Sequence, residues 1–223
     1  MQPQAFPYLV PKCNENIVVL YEDDHVLLVN KPAFLLSMPG RHPANKDSLI
    51  TRIQQQYPDA HLVHRLDLDT SGIMIVPIRR SALSHIAKQF QDRLVRKTYQ
   101  AVLDGLVSDD YGSIDLPIAK DWANRPLQKI CHENGKPSLT HFRVLMRDTR
   151  NKQTRVEFTP VTGRSHQLRL HSQAIGHPIL GCDLYAHDAA FHASKRLMLH
   201  AVGIAFIHPR TGRTLEACSP CPF

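Results

Sequence analysis

His64-Arg65-Leu66-Asp67-Leu68-Asp69-Thr70-Ser71-Gly72 runs directly into Ile73-Met74-Ile75-Val76-Pro77-Ile78. The second stretch is short and nearly all apolar, the pattern of a strand covered on both faces. The first packs an imidazole, a guanidinium, two carboxylates and two hydroxyls into nine residues, and ends at a glycine free to adopt positive φ. A further apolar run, 60–63, precedes it, so the polar stretch reads as a loop delivered into a core. A plain connector has no use for so many ionisable groups beside a buried strand. Chemistry does.

Upstream, Ile17–Tyr21 and Val26–Asn30 flank Glu22-Asp23-Asp24-His25 and read as a β-hairpin, ended by Lys31-Pro32. Asp47 is placed to cap a helix carrying Leu49, Ile50, Ile53 and Tyr57, which Pro58 stops. Residues 1–15 lack periodicity and read as a loose arm. Downstream, Ser81 opens a helix with Leu83, Ile86, Ala87, Phe90 and Leu94 on one face, and Thr98–Leu103 alternates as a strand. Residues 108–140 are turn-rich, with weak strand signals. Phe142–Met146 and Arg155–Thr159 read as strands joined by a basic loop. Thr162-Gly163-Arg164-Ser165 leads into a helix that runs to Gly176, with Pro178 as a stop signal. Arg196–Ile207 reads as a strand, followed by a turn at 209–212 and a short last strand. No linker divides the chain, which predicts one α+β domain.

With 223 residues, 43% of them apolar, the chain can bury one sizeable core or at most two small ones. Its net charge of +7 and pI near 9.3 suit a polyanionic partner. No run reaches the length of a membrane span, and the first residues lack a signal-peptide layout, so the expectation is a cytoplasmic protein with no membrane partner. Five cysteines are scattered, and only Cys218 and Cys221 form a C-x-x-C pair. Without a second pair for zinc, free thiols are expected. The Walker, G-x-G-x-x-G and G-x-S-x-G patterns are all missing, which leaves no sequence support for a nucleotide cofactor or a serine hydrolase.

Taken from the residues alone, Asp67 is either a turn-forming aspartate or a catalytic one, and Asp69 a turn or loop hydrogen-bonder. Asp67-x-Asp69, combined with Glu22, Asp23 and Asp24, would also fit a two-metal RNA phosphodiesterase. A non-catalytic RNA-binding module would account for the charge without needing Asp67. Arg164 and Arg169 are expected on one short helix, with residues 165, 169 and 172 on one face. An arginine turned inward there requires a carboxylate partner. Tyr99 alternates with Ala101 and Leu103 as a core-facing aromatic. Lys97 reads as a phosphate contact or a strand-edge lysine.

The nonapeptide resembles the HRLDxxTSG signature of the RluA-type RNA pseudouridine synthases. Four further blocks match in order: YEDDHVLLVNKPAFLLSMPG (21–40), KTYQAVLDG (97–105), TGRSHQLRLH (162–171) and LMLHA (197–201). DWANRPLQKICHENGKPSLT (121–140) resembles one subgroup, with dual specificity for large-subunit rRNA and tRNA. The resemblance implies a catalytic domain over 16–223, built on a mixed, mainly antiparallel sheet flanked by helices and loops. It leaves no room for an S4-like domain. It implies isomerisation of uridine to pseudouridine with no metal or cofactor. Asp67 would be the catalytic carboxylate, Arg169 its partner, and Tyr99 the ring over the target base and a candidate general base. Arg65 would fill the place of the flipped nucleotide. RNA contacts are expected from Arg65, His64, Lys97, Arg164, Arg125 and Lys129, and from the basic loop at 147–155. The implied partners are a hairpin loop of 23S rRNA and the tRNA anticodon stem-loop, bound by a monomer.

Overall fold

The computed structural model describes residues 9–223. β1 (Val18–Glu22) and β2 (Val26–Lys31) form the expected hairpin, and β3 (Ser71–Pro77) pairs with β2. Every residue of β3 is buried, as its unbroken apolar run predicts. Then follow β4 (Arg96–Asp104), β5 (Tyr111–Asp115), β6 (Ile118–Lys120), β7 (Gln128–Ile130), β8 (Leu139–Asp148), β9 (Gln153–Pro160), β10 (Leu199–Ile207) and β11 (Thr214–Cys218). The helices are α1 (Leu49–Ile53), α2 (Arg80–Gln91), α3 (Gln167–Ala174) and α4 (Asp188–His192).

One sheet carries nine strands in the order β1-β2-β3-β10-β4-β9-β8-β5, with β11 along β10; β6 and β7 form a separate hairpin. Pairing is antiparallel except between β3 and β10, which touch only at His200↔Ser71 and Ala201↔Gly72. Beyond this short seam the strands diverge, and β11 takes over the same edge of β10 from Gly203 onward. The seam needs Gly72. Its φ is +123°, and a Cβ there would lie 2.4 Å from the backbone N and O of Ala201.

Two apolar clusters flank the seam. One joins β2, β3, α1 and α2 through Leu27, Leu28, Ile75, Leu49 and Ile86; the other joins β4, β9 and α3 through Ala101, Leu103, Phe158 and Leu168. Tyr99 packs against both.

Several local expectations need correction. Ser48, not Asp47, caps α1: its hydroxyl accepts the Thr51 N–H, while the Thr51 hydroxyl accepts the Ser48 N–H (3.3 and 2.9 Å). Asp47 turns instead to Arg52 (2.7 Å). α1 stops at Ile53, and the chain continues as a turn in which the Gln56 and Tyr57 N–H groups both donate to the Ile53 carbonyl (3.0 and 2.9 Å). α2 buries Ala82, Ile86 and Gln89, while Ala87 and Leu94 are exposed. Gln89 is drawn inward because its amide pairs with both the N–H and the carbonyl of Ile207, each at 2.7 Å. Of the expected arm, residues 1–8 lie outside the described residues. Residues 10–15 are pinned to the body, Val10 by Asn45 (3.0 Å) and the Glu15 carbonyl by Arg52 (2.8 Å).

The turn-rich region 108–140 holds three strands, and α4 is an additional element. Among the described residues no helix is long and apolar enough to cross a membrane.

Candidate active site

His64, Leu66, Leu68 and Ser71 of the polar loop are each tied down. The Ile75 N–H, left open where β10 diverges, donates to His64 Nε2 (3.0 Å), and the His64 ring stacks on Phe90 at 4.8 Å. Burial, assisted by the Lys97 charge, pulls the His64 pKa down to about 3, so the ring is neutral. The Ser37 hydroxyl accepts the Leu66 N–H (3.1 Å) and donates to its carbonyl (2.7 Å). Lys31, fully buried, donates to the carbonyls of Pro32, Leu35 and Leu68. Ser71 accepts from Arg196 (2.5 Å) and pairs with His200 Nδ1 (2.7 Å), which ties the loop's end to β10. The side chains of Arg65 and Asp67 remain turned toward a cleft.

That cleft, about 210 Å³, is lined by Arg65, Asp67, Thr70, Lys97, Tyr99, Arg164, His166 and Arg169, among others. It is smaller than the ~300–1,000 Å³ of sites for drug-sized ligands, and suits a single ring rather than a whole cofactor. A second hollow of about 450 Å³ shares Arg65, Lys97, Tyr99 and Arg164, and continues past His64 and Phe90.

The structure brings Arg169 to Asp67, Nη1 lying 3.8 Å from Oδ2. Its tighter partner is Asp183, held by Nη2, while Nε points to Cys182 Sγ at 3.3 Å. Arg169 is only 2% exposed, so two carboxylates and a thiol compensate a buried cation. On the other oxygen of Asp67, His166 Nε2 stands 4.0 Å from Oδ1. His166 has φ +56°, a left-handed conformation rare for a side-chain-bearing residue, just before α3 begins.

The bend is held by Gln167, whose Oε1 accepts from the Thr162 hydroxyl (2.8 Å) and the Arg164 N–H (3.0 Å). Its Nε2 donates to Thr140 Oγ1 (2.9 Å). Arg164 therefore lies in this loop and not on the helix, with its guanidinium toward the Pro137 carbonyl at 3.2 Å. Ser165 is likewise outside α3 and exposed, while Ser172 is buried on the helix beyond Arg169.

Tyr99 lines the cleft from β4. Burial, then the charge of Asp67, push its phenol above the ordinary tyrosine range, so the group presented is a neutral ring. Lys97, two residues earlier, pairs with Ile204 of β10 and is half-buried, while pairing with β9 starts only at Tyr99, so that side of β4 is open at Lys97; burial lowers its pKa. Among the described residues Asp69 makes no loop hydrogen bond. Burial, then the negative charge of Asp183, raise its carboxyl above the usual range.

The acidic hairpin turn is remote. Val26↔Pro77 closes one end of the β2–β3 pair and Lys31↔Gly72 the site end, a strand of roughly 17–20 Å. There Asp23 already accepts the N–H groups of His25 and Val26, the Tyr21 hydroxyl and His208 Nε2. A paired-acid metal site shared with Asp67 is geometrically unsupported.

The basic loop between β8 and β9 is also far away. Asp148↔Gln153 marks its end of the pair and Thr140↔Pro160 the site end, roughly 25 Å apart. Its Arg147 is bound to Asp110 (2.7 Å).

The β6–β7 hairpin, in contrast, is adjacent. The Gln128 N–H donates to Tyr185 Oη (2.9 Å), and that oxygen lies 2.8 Å from His166 Nδ1. Toward the tip, Trp122 is 64% exposed, with the Arg125 guanidinium 4.0 Å and the Lys120 ammonium 5.1 Å from its ring centre. Lys129 is exposed on β7.

The residues missed by sequence reading are Lys31, His166, Asp183 and Tyr185. Asp183 and Tyr185 follow the apolar pair Ile179-Leu180, a charged group after a buried run, as at Asp67. That recurrence is the signal that could have found them.

Comparison with known proteins agrees with this geometry. The model of the RNA pseudouridylate synthase family matches residues 25–174. The dual-specificity RNA pseudouridine synthase RluA of Vibrio vulnificus (strain CMCP6) is 50% identical over 208 residues, which cover 92% of this chain and 83% of that protein. Its counterpart from Escherichia coli (strain K12) is 46% identical over 207 residues, covering 93% and 94%. The solved structure of human RNA pseudouridylate synthase domain containing 1 superposes with a TM-score of 0.80 at 30% identity, covering 96% of this chain and 86% of the human one. Similarity of this extent, from the loop around Asp67 to the whole sheet, supports one conclusion: the chain belongs to the RluA family of RNA pseudouridine synthases and isomerises uridine within RNA.

Proposed function

We propose that Asp67 is the group that attacks or deprotonates a flipped-out uridine in an RNA stem-loop, and that the chain acts on both 23S rRNA and a tRNA anticodon arm. The second half of this reading rests on relatives named as dual-specificity enzymes. The observation that carries the first half is the Asp67 carboxylate in a cleft the size of one base, with Tyr99 as one wall and Arg169 and His166 beside its oxygens.

The reaction breaks the N1–C1′ bond, turns the uracil, and joins C5 to C1′. The C5 proton leaves and N1 gains one, so no external reagent is consumed. Asp67 supplies the covalent or proton-transfer step. Tyr99 acts through its ring, stacking on the detached base, and it or a water takes up the C5 proton.

Arg65 is exposed at the cleft mouth, its Nη1 3.9 Å from Met38 Sδ, and its plane is free to stack where the target nucleotide has left. Lys97 and Arg164 offer positive charge to the phosphates, with Trp122, Arg125 and Lys129 gripping the loop from the hairpin. His64 contributes by holding β3 rather than by touching RNA. A cytoplasmic monomer whose single domain, residues 16–223, recognises the stem-loop by shape is the setting this reading implies.

Tritium release from C5-labelled uridine in the two stem-loops tests the proposal. Asp67→Asn should abolish release from both while stem-loop affinity survives, and Asp69→Asn should retain substantial activity. Equal losses from the two variants, or activity lost to EDTA, would return the metal reading; release from only one RNA would remove dual specificity.

A further inference from the structure

We propose that Tyr185 sets the tautomer of His166 so that the imidazole presents Nε2–H to Asp67, making His166 and Tyr185 a positioning pair that ties the β6–β7 hairpin to the nucleophile. The argument is one of donors and acceptors. Tyr185 Oη receives the Gln128 N–H at 2.9 Å, which occupies one lone pair and leaves the phenol proton to be donated. The acceptor within reach is His166 Nδ1, at 2.8 Å. An imidazole that accepts at Nδ1 carries its proton at Nε2, and Nε2 is the atom 4.0 Å from Asp67 Oδ1.

The opposite tautomer would aim two donors at Tyr185 Oη and a bare nitrogen lone pair at a carboxylate. Burial opposes charging of His166 and pushes the Tyr185 phenol up to about 12, so both partners are neutral at pH 7.

The left-handed backbone at His166 fits this role. It turns the ring out of line with α3, where the side chain bridges Tyr185 and Asp67 instead of capping the helix. With Arg169 on Oδ2 and His166 on Oδ1, each oxygen of the nucleophile faces a donor from its own side. At 3.8–4.0 Å these contacts are longer than hydrogen bonds, and are placed to tighten once substrate excludes water. The bridge also gives the hairpin influence over chemistry, because its Gln128 N–H is one bond from the tautomer switch.

Nitrogen-15 NMR of histidine-labelled full-length protein reads the tautomer directly, with the His166 signals assigned by their loss in His166→Gln. The expected spectrum is a neutral ring protonated at Nε2, and Tyr185→Phe should shift it toward a mixture. In turnover, His166→Asn, which keeps a polar atom near Tyr185 but falls short of Asp67, should lower kcat about tenfold with little change in KM. His166→Gln, whose amide N–H extends to the Nε2 position, should recover most of that loss.

Tyr185→Phe should lower kcat in the wild-type background and add nothing to His166→Gln, which has no tautomer to set. A wild-type ring protonated at Nδ1 would overturn the proposal, as would a multiplicative loss in the Tyr185→Phe/His166→Gln double variant. Should Tyr185→Phe fail to fold, the wild-type spectrum and the Asn–Gln comparison decide alone. The spectrum does not depend on which RNA is the substrate, so failure of the stem-loop reading would be seen separately.

Discussion

Arg169 faces two carboxylates, and the one it holds more tightly is not Asp67. Asp183 and Cys182 fix the guanidinium, and Asp67 meets it from the cleft side at 3.8 Å. This division anchors the cation while leaving Asp67 more loosely held on the cleft side. Arg169→Met strands two acids around an apolar stem, and loss of one partner of a buried pair costs ~3–5 kcal/mol. Urea unfolding should show a loss of that size, together with a collapse in turnover. Wild-type stability and activity in the variant would mean the ion pair is not structural.

Lys31 poses a different problem at the same scale. Burial pulls its pKa from 10.5 to about 7, against the pull of Asp69 and Asp67. Between those values the unfolded chain binds the proton that the folded chain has released, so stability rises with pH across that window and the contribution is lost as pH falls through 7. From pH 7 to 9 the wild type should gain roughly 2–3 kcal/mol relative to Lys31→Met. Parallel stability curves for the two proteins would dismiss the effect.

Among the elements, the β3–β10 seam and the β6–β7 hairpin matter most to the site. The seam consists of two residue pairs and exists only because Gly72 has no Cβ. Gly72→Ala must either push β10 away or move the loop, adding strain at a positive φ. The penalty should be roughly 2–5 kcal/mol, and the spacing between Asp67 and Arg169 should loosen with it. Chemical denaturation and activity should therefore fall together; an alanine variant with native stability would show that the seam relaxes freely.

The hairpin offers two separable contributions. Trp122→Ala should remove about 1–3 kcal/mol of stem-loop binding and leave the salt dependence unchanged, since stacking releases no counterions. Arg125→Ala should reduce the salt slope by about one ion if the guanidinium reaches a phosphate. Binding isotherms across a salt series distinguish them, and an unaltered affinity in both variants would remove the hairpin from the interface.

Over the whole molecule, legibility in the sequence followed locality. The buried strand after the polar loop was visible because seven consecutive residues share one environment. Arg169 could be paired with a carboxylate because a buried cation requires one. Asp183, however, lies 14 residues beyond Arg169, where only the folded chain reveals the contact. β5, β6 and β7 escaped periodicity because such short strands are stabilised by distant partners, β5 by β8 through Tyr111↔Arg143 to Asp115↔Leu139. Gln89 was unreadable as a core position, since only Ile207, 118 residues away, gives its amide a reason to be buried. His166 was hidden by its backbone conformation, which no pattern of side chains announces.

The seam also sets a clock on biosynthesis. Asp67 and its loop belong to the N-terminal half, whereas His166, Arg169 and Asp183 come later and β10 starts only at Leu199. As the chain emerges residue by residue, β3 waits for a neighbour more than 120 residues downstream, a non-local closure of the kind that slows folding. Until β10 is made, the end of the signature loop lacks the strand that Gly72 lies against. Closure of the seam is thus a late step, in which the strand carrying the signature loop is fixed beside elements made long after it.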